Sequence, residues 1–251
     1  MLMSPRMIEF IDGCREITDE AGLREMLREM TKALGFNQYA LLHHVDLARP
    51  PAHAITLMGY EDGWMEQILQ NRYFQDDPIL TASHRRLTGF SWREVPNIIR
   101  LNRRHRRILH QARAHGLRDG FTVPVPPLAG EYRGTCSFAS DRPVEITSDL
   151  IGSAQLIATF CFEVARRITN QDAVSAPRMP QLTQRQLDCI VLVGTGKTSW
   201  EIGKIIGLSE DTIDDHLSNA MRKCDVSRRI QLVVRALFEG QASYWDMLRM
   251  S

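Results

Sequence analysis

Hydrophobic residues recur every three or four positions near the end of the chain, which predicts a series of short helices there. Two apolar faces follow this spacing: Ile202, Ile205 and Ile206, then Ile213, Leu217 and Met221. Two helix starts resemble capping boxes, in which a threonine is answered three residues later by Gln or Glu, at Thr183–Gln186 and Thr198–Glu201. The pattern therefore predicts four helices between residues 182 and 237.

The two middle helices are joined by the short turn Gly207-Leu208-Ser209, which is the arrangement of a helix-turn-helix. In that motif the second helix enters the major groove of DNA. We therefore predict an all-α, four-helix DNA-binding domain over residues 181–251.

The earlier part of the chain mixes helical and strand-like periodicity. Helical spacing covers residues 23–34, 64–73, 102–115 and 148–169; strand-like segments cover 39–45, 54–60, 121–126 and 132–139, the last two pairing across a turn at Gly130. This order predicts an α+β domain over residues 1–170, with an antiparallel sheet flanked by helices in an α-β-α sandwich. Analogy at the level of the fold favours a small-molecule sensor.

Between the two predicted domains, residues 170–181 have no helical or strand period and contain two prolines. Such a segment is typical of an interdomain linker, which we place at residues 171–180.

Composition excludes several classes of protein. The 251 residues carry a net charge of +1, so no overall basic field draws the chain to nucleic acid. Five widely spaced cysteines favour buried free thiols in a reducing cytoplasm. Charged residues interrupt the N-terminus, and the apolar run at 150–164 is too short and polar to span a membrane. We expect a cytoplasmic protein without a membrane partner.

Aromatic and acidic side chains cluster between residues 60 and 92. Tyr60, Trp64 and Trp92 can donate hydrogen bonds and Asp77 can accept them, so that around an apolar cavity they would orient a ligand with carbonyls and an N–H. An alternative is that the tryptophans belong to the core and Asp77 caps the turn before Pro78. Composition alone favours this alternative.

Other candidate chemistry is sparse. His43 and His44 are adjacent on a predicted strand and point to opposite faces, so we expect no metal site. No nucleophile-and-base motif is present, and we expect no enzymatic activity and no cofactor. The arginine-rich run between Arg100 and Arg118 is either a nucleic-acid patch or the solvated face of a helix; its place in the predicted sensor domain favours the second interpretation.

Two sets of residues resemble one family over nearly the whole chain. The spacing of Trp64, Asp77-Pro78, Trp92 and Gly120 is similar to the ligand-domain pattern of LuxR-type quorum-sensing regulators, and the run GKTSWEIGKIIGLSEDTI resembles their C-terminal motif. The resemblance implies an N-terminal domain that binds an N-acyl-homoserine lactone and a C-terminal helix-turn-helix.

The resemblance also implies roles for single residues. Trp64 would donate to the lactone carbonyl, and Asp77 would accept from the amide N–H. Tyr60 and Ser137 would address the acyl carbonyl. Trp92 would form an aromatic wall near the lactone, and Gly120 would be a structural glycine.

Two departures from the family concern the pocket and the helices. Ile68 stands where many relatives have a tyrosine, which replaces a polar tip with an apolar wall of the expected pocket. Gln186 and Ile190 replace the usual Glu and Leu; both are tolerable for folding, because Gln retains the capping box and Ile the apolar character.

The expected DNA contacts lie on the helix-turn-helix and the turn after it: Lys197, Thr198, Ser199, Thr212, Asp214, Asp215, Ser218, Arg222, Lys223 and Arg228. Residues 181–240 contain eight basic and eight acidic side chains, an unfavourable balance for approaching phosphates. Asp214 and Ser218 are expected on the face that meets base edges, where a carboxylate cannot bind guanine but can accept from cytosine.

Three outcomes are compatible with this charge pattern: an unusual DNA site, weak binding as a dimer, or loss of direct DNA recognition. We favour altered specificity, because phosphate contacts supply most of the affinity. The leading hypothesis is a homodimeric, ligand-responsive transcription factor that binds double-stranded DNA. The alternative is an anti-activator or signal-binding protein that acts through a heterodimer with another LuxR-type regulator.

Overall fold

The computed structural model describes residues 4–60, 62–129, 131–172 and 180–249. The chain divides into two compact units, with the division after the long helix that ends at Asp172. Residues 173–179 of the predicted linker at 171–180 lie outside the described residues, whereas residues 171 and 172 belong to the long helix, so the helix extends slightly beyond the predicted start of the linker.

The first unit contains a five-stranded antiparallel sheet in the order β2-β1-β5-β4-β3. Its strands are β1 (Gln38–His43), β2 (Thr56–Met58), β3 (Phe90–Ser91), β4 (Asp119–Val125) and β5 (Gly134–Ser140). Its α-helices are α1 (Pro5–Glu16), α2 (Glu20–Ala33), α3 (Asp62–Gln70), α4 (Pro78–Ser83), α5 (Val95–Ile98), α6 (Arg103–Ala114) and α7 (Ser148–Asp172). Short 3₁₀ helices cover Tyr73–Gln75 and Trp92–Glu94.

Successive strand residues face opposite sides of the sheet, and the two sides differ in chemistry. One side presents large apolar side chains such as Leu41, Phe121 and Phe138, which pack in one core with residues of α1, α2 and α7. The other side faces α3 and α6 and carries smaller or polar residues, including Ala139 and Ser137. This second side leaves room for a cavity.

The predicted α+β fold class is confirmed. The differences concern the first helix, the shortest elements and the length of one strand. We did not predict α1, although Ser4 caps it and Pro5 occupies its first turn. The very short β3, α4 and α5 were also missed, because two to six residues give too few repeats for a period. The predicted strand at 54–60 shrinks to Thr56–Met58, since only those residues pair with β1.

The second unit is helical, with α8 (Gln184–Gly194), α9 (Ser199–Ile206), α10 (Glu210–Lys223), α11 (Arg229–Phe238) and α12 (Tyr244–Arg249). Both predicted capping boxes are formed, at Thr183–Gln186 and Thr198–Glu201. Gly207 has φ +75°, a conformation that favours glycine and permits the sharp turn between α9 and α10. A fifth short helix, α12, follows the four that the sequence predicts.

All five cysteines are buried and free, as expected. No helix within the described ranges is long and apolar enough to cross a lipid bilayer.

Candidate functional site

A cavity lies between the polar side of the sheet and the helices α3, α4 and α6. The cavity is partly open to solvent. Most of its wall is apolar, for example Leu42, Met58, Phe74, Ile79 and Ile108. The cavity also contains Tyr60, Trp64, Asp77, Trp92 and Ser137, so the structure brings the predicted polar residues together. A mostly apolar wall with a few convergent polar groups is typical of a small-molecule site.

Trp64 is buried in the wall of this cavity and held by its neighbours. It is 4% exposed, and its ring lies 5.8 Å from Tyr73 and 5.6 Å from His115. Within the described chain no side chain or carbonyl accepts a hydrogen bond from its indole N–H. The ring is therefore fixed, and its donor is available to a ligand.

Asp77 combines the two roles between which the sequence left a choice. Its Oδ1 accepts from the backbone N–H of Ile79 at 2.7 Å, which caps α4 at its first turn. The same carboxyl also lines the cavity. Burial raises the pKa of Asp77 to about 6, although hydrogen bonds from the backbone N–H groups of Ile79 and Leu80 act in the opposite direction.

Tyr60 faces the cavity beside Asp77. Burial, and then the Asp77 charge, raise the pKa of the Tyr60 hydroxyl well above its usual range. The hydroxyl therefore remains neutral and keeps its proton. No hydrogen-bond partner for it lies in the described part of the chain, so it can donate to a ligand acceptor.

A chain of hydrogen bonds connects Trp92 to Ser137. The indole N–H of Trp92 donates to Thr122 Oγ1 at 2.8 Å, and the hydroxyls of Thr122 and Ser137 lie 2.8 Å apart. Thr122 is fully buried and Ser137 is 5% exposed. If Thr122 donates to Ser137, the Ser137 hydroxyl keeps its own proton for a hydrogen bond to another acceptor. Sequence reasoning missed Thr122, although it is a lone hydroxyl between Phe121 and Val123 on the strand.

Gly120 allows Trp92 to lie flat against the sheet. A Cβ atom at position 120 would lie 2.5 Å from Trp92 Cε2 and 2.7 Å from the Phe138 carbonyl oxygen. The close approach explains why a glycine is needed here, as the family resemblance implies.

Ile68 is 8% exposed and contributes a branched apolar surface to the same cavity. The other apolar wall residues carried no sequence signal that separates them from ordinary core positions.

The helix-turn-helix carries the second set of predicted residues. The exposed side chains Thr198, Ser218, Arg222, Lys223 and Arg228 remain accessible from solvent, as does the exposed carboxylate of Asp215. Lys197 and Thr212 are partly exposed, and the Thr212 hydroxyl lies 2.7 Å from Ser209 Oγ. Thr198 Oγ1 lies 2.9 Å from Glu201 Oε2 as part of the capping box.

Ser199 requires a correction, and Asp214 has partners within its own unit. Ser199 is 4% exposed, and its hydroxyl donates to Asp214 Oδ1. Arg229 donates both to Ser199 Oγ at 2.8 Å and to Asp214 Oδ1 at 2.7 Å. The three residues join α9, α10 and α11, although the side chains of Arg229 and Asp214 remain 41% and 46% exposed. Ser199 is too buried for the expected side-chain contact with phosphate, whereas the Asp214 side chain is 46% exposed, so its expected contact with base edges stays a prediction.

Two further acidic residues of α10 have a local explanation. Glu210 and Asp211 lie in its first turn, where the helix dipole favours negative charge. Of the acids that the sequence placed against DNA, Asp215 is the one left without such an explanation.

The pocket and the helix-turn-helix together define a class, the DNA-binding regulators that sense a small molecule. Comparison with known proteins identifies the family within it. The model described as the autoinducer binding domain matches residues 19–165, and the model described as bacterial regulatory proteins, luxR family, matches residues 180–236. The chain belongs to the LuxR family of transcriptional regulators with an autoinducer-binding domain.

Relatives and solved structures agree. The transcriptional activator protein VanR of Vibrio anguillarum is 27% identical over 237 residues, covering 94% of this chain and 97% of VanR. The crystal structure of Escherichia coli SdiA has a TM-score of 0.70 at 23% identity, covering 94% of this chain and 97% of that one. SdiA in complex with octanoyl-rac-glycerol has a TM-score of 0.71 at 22% identity, covering 97% and 99%. The SdiA likeness concerns the fold, whereas the family models and relatives such as VanR indicate transcriptional regulators.

Proposed function

We propose that this protein is a dimeric transcriptional regulator whose N-terminal unit binds an N-acyl-homoserine lactone and whose C-terminal unit binds DNA. The observation that carries the proposal is the convergence of Tyr60, Trp64, Asp77 and Ser137 on one largely apolar cavity. These residues lie in different parts of the chain, and they meet at this one cavity.

The chemistry of the cavity complements such a ligand. An N-acyl-homoserine lactone has one amide N–H, two carbonyls beside it and an apolar chain. Asp77 would accept from the N–H, Trp64 would donate to the lactone carbonyl, and Tyr60 and Ser137 would donate to the acyl carbonyl. The apolar wall, including Ile68, would hold the chain. SdiA, whose fold is similar, has been solved in complex with octanoyl-rac-glycerol, which also joins an acyl chain to a polar head.

Binding would also relieve an electrostatic cost in the pocket. The raised pKa of Asp77 means that its ionised form is disfavoured by burial. A ligand N–H pointing at the carboxylate would stabilise that form. The bound protein would then be more stable than the ligand-free one, which provides the coupling to folding and assembly that a ligand-responsive regulator needs.

The ion pair between Asp214 and Arg229 supports DNA binding over the anti-activator alternative. That alternative depends on the acidic residues of the recognition helix. Arg229 now offsets the charge of Asp214, and Glu210 and Asp211 stabilise the start of α10. Arg222, Lys223 and Arg228 remain exposed for phosphate contacts.

A surface on α11 supports dimerisation. Ile230 and Val234 lie one turn apart, and each is 60% exposed, whereas Leu232, Val233 and Ala236 fill the core on the opposite face. Exposed aliphatic residues in a row on a helix are typical of an interface between protein chains.

Calorimetry with synthetic N-acyl-homoserine lactones of short, medium and long chains tests the pocket. We expect Asp77→Ala and Trp64→Phe each to weaken binding by about tenfold or more, since each removes a buried partner, equivalent to about 1.4 kcal/mol. Asp76→Ala changes a neighbouring carboxylate that pairs with Arg104 outside the cavity, and should leave the affinity unchanged. Equal affinity in the parent and both pocket variants would reject this site.

Genome-wide occupancy of the tagged protein, measured with no other LuxR-type regulator in the cell, tests the DNA half. Discrete sites that disappear in an Arg222→Gln/Lys223→Gln variant are expected. Occupancy that depends on a partner regulator would instead favour the anti-activator.

A further inference from the structure

The stretch from Arg100 to Arg118 concentrates positive charge on and beside α6 in the N-terminal unit. It contains seven arginines and no acidic residue: Arg100, Arg103, Arg104, Arg106, Arg107, Arg113 and Arg118. All seven are exposed. We call this surface, centred on α6, the arginine face. It takes no part in the cavity, which the opposite side of α6 lines through Ile108, Leu109 and Ala112.

The placement of these arginines is unfavourable for an isolated helix. Arg103 and Arg104 occupy the first turn of α6, where the helix dipole disfavours positive charge, and no acidic residue is present there. Arg103 and Arg107 are four residues apart, a spacing at which like charges repel. A bound anion would remove both costs, because the helix start and the guanidinium groups attract it together.

Internal partners satisfy little of this charge. Arg104 pairs with Asp76 at 2.7 Å and donates to the Asn71 carbonyl at 3.1 Å. The other six guanidinium groups have no ion pair with any residue that the structure describes. Helices α1 and α2 differ, since Arg15, Arg24 and Arg28 each pair with a carboxylate on their own helix.

The chemistry of the face favours a phosphate backbone over a membrane. An interfacial membrane helix inserts an apolar side, but the apolar residues Ile108 and Ala112 are only 2% and 8% exposed. Guanidinium groups match phosphate oxygens in two-pronged geometry. The helix-turn-helix region has balanced charge, eight basic and eight acidic residues over 181–240, so it alone supplies little long-range attraction to DNA.

We propose that the arginine face of α6 is a second, sequence-independent contact surface for the phosphate backbone of double-stranded DNA. The proposal rests on the proposed function in one respect, because the helix-turn-helix is what brings a duplex to the chain.

The test is the salt dependence of binding by the full chain to a fluorescent duplex, measured by anisotropy. We expect Arg103→Gln/Arg106→Gln/Arg107→Gln to reduce the slope of log affinity against log salt by about three, close to one for each phosphate that is no longer neutralised. The weakening of binding should be the same for duplexes of unrelated sequence, since phosphates carry no sequence information. The matched control, Arg15→Gln/Arg28→Gln/Arg49→Gln, removes the same charge from exposed positions elsewhere and should leave the slope unchanged.

The outcomes separate this inference from the proposed function. A duplex bound by the parent with the same slope in the α6 variant would overturn the arginine face and leave the helix-turn-helix assignment intact. Residual salt-dependent binding in Arg222→Gln/Lys223→Gln, abolished when the α6 changes are added, would support it. A parent chain that binds no duplex would overturn both proposals.

Binding to anionic phospholipid vesicles that the α6 changes abolish, with duplex binding retained, would assign the face to lipid instead. Thermal melts of each variant identify any that fail to fold.

Discussion

At the scale of single residues, Asp77 shows how one carboxyl serves fold and site together. It caps α4 through Ile79 and also faces the cavity. Burial raises its pKa from the ordinary 3.8 to about 6, so near neutral pH the empty pocket holds a carboxylate that its surroundings disfavour. A ligand that donates an N–H to this carboxylate would offset the free-energy cost of burying its charge.

The raised pKa of Asp77 gives a stability that depends on pH. Below about pH 4 the carboxyl is protonated in both the folded and unfolded states. Between about 4 and 6 the folded state retains the proton that the unfolded state has released, so stability falls as the pH rises, and above 6 the loss is complete. We expect Asp77→Asn, which keeps a capping oxygen, to be more stable than the parent by roughly 1–3 kcal/mol at pH 7.5 and nearly equal at pH 4.

Urea unfolding at the two pH values measures this difference. Asp19→Asn is the control, because Asp19 is an exposed N-cap that accepts from Gly22 at 2.8 Å. A gain for Asp77→Asn that is the same at both pH values would contradict the proposed burial of the ionised carboxyl.

The contacts of Asp214 also change how the charge of the recognition helix is interpreted. Asp214 is 15 residues from both Ser199 and Arg229, and no local periodicity connects the three. Their contact ties three helices together. The charge of Asp214 is therefore partly offset by Arg229, while its side chain remains 46% exposed.

At the scale of elements, the site depends on how closely the 3₁₀ helix Trp92–Glu94 approaches β4. Gly120 on β4 leaves the space that the Trp92 ring occupies, and Thr122 on the same strand accepts its N–H. Ser137 on β5 is paired with Thr122 across the sheet. Strand register thus aligns the aromatic wall with the hydroxyl that faces the ligand.

Two glycine substitutions should have opposite effects on stability. Gly120→Ala places a methyl group against Trp92 and the Phe138 carbonyl, so we expect a loss of about 1–3 kcal/mol and weaker ligand binding. Gly152 is exposed on α7, and a Cβ atom added there would meet no atom of another part of the chain within 4 Å. Gly152→Ala should therefore stabilise the protein by about 0.5–1 kcal/mol without affecting ligand binding. Chemical denaturation measures both, and equal stability of the Gly120 variant and the parent would refute the packing argument.

At the scale of the whole molecule, the two units have separate cores. The sheet unit buries residues such as Phe121 and Phe162, and the helical unit buries Ile190, Ile202 and Leu217. The exposed pair on α11, Ile230 and Val234, belongs to the second unit.

Dimerisation through α11 should be sensitive to charge. We expect Ile230→Asp/Val234→Asp to convert a dimer to a monomer, because two carboxylates would be desolvated at the interface. Ile205→Asp also changes an exposed aliphatic residue, 52% exposed on α9, and should leave the dimer intact. Sedimentation velocity distinguishes the species, and a dimer that persists in the double variant would place the interface elsewhere.

The sequence by itself determined what short-range rules control. Capping boxes, apolar periods and a glycine turn predicted four helices between residues 182 and 237 and the starts of α8 and α9, because each of these signals acts within one helical turn. Similarity to a family supplied the candidate pocket residues. Tertiary structure alone decided what depends on distant parts of the chain: that Tyr60, Asp77 and Ser137 share one cavity, that Thr122 joins Trp92 to Ser137, and that Asp214 pairs with Arg229. These contacts join residues that are far apart in the sequence, and the pairing of particular residues between elements leaves no period.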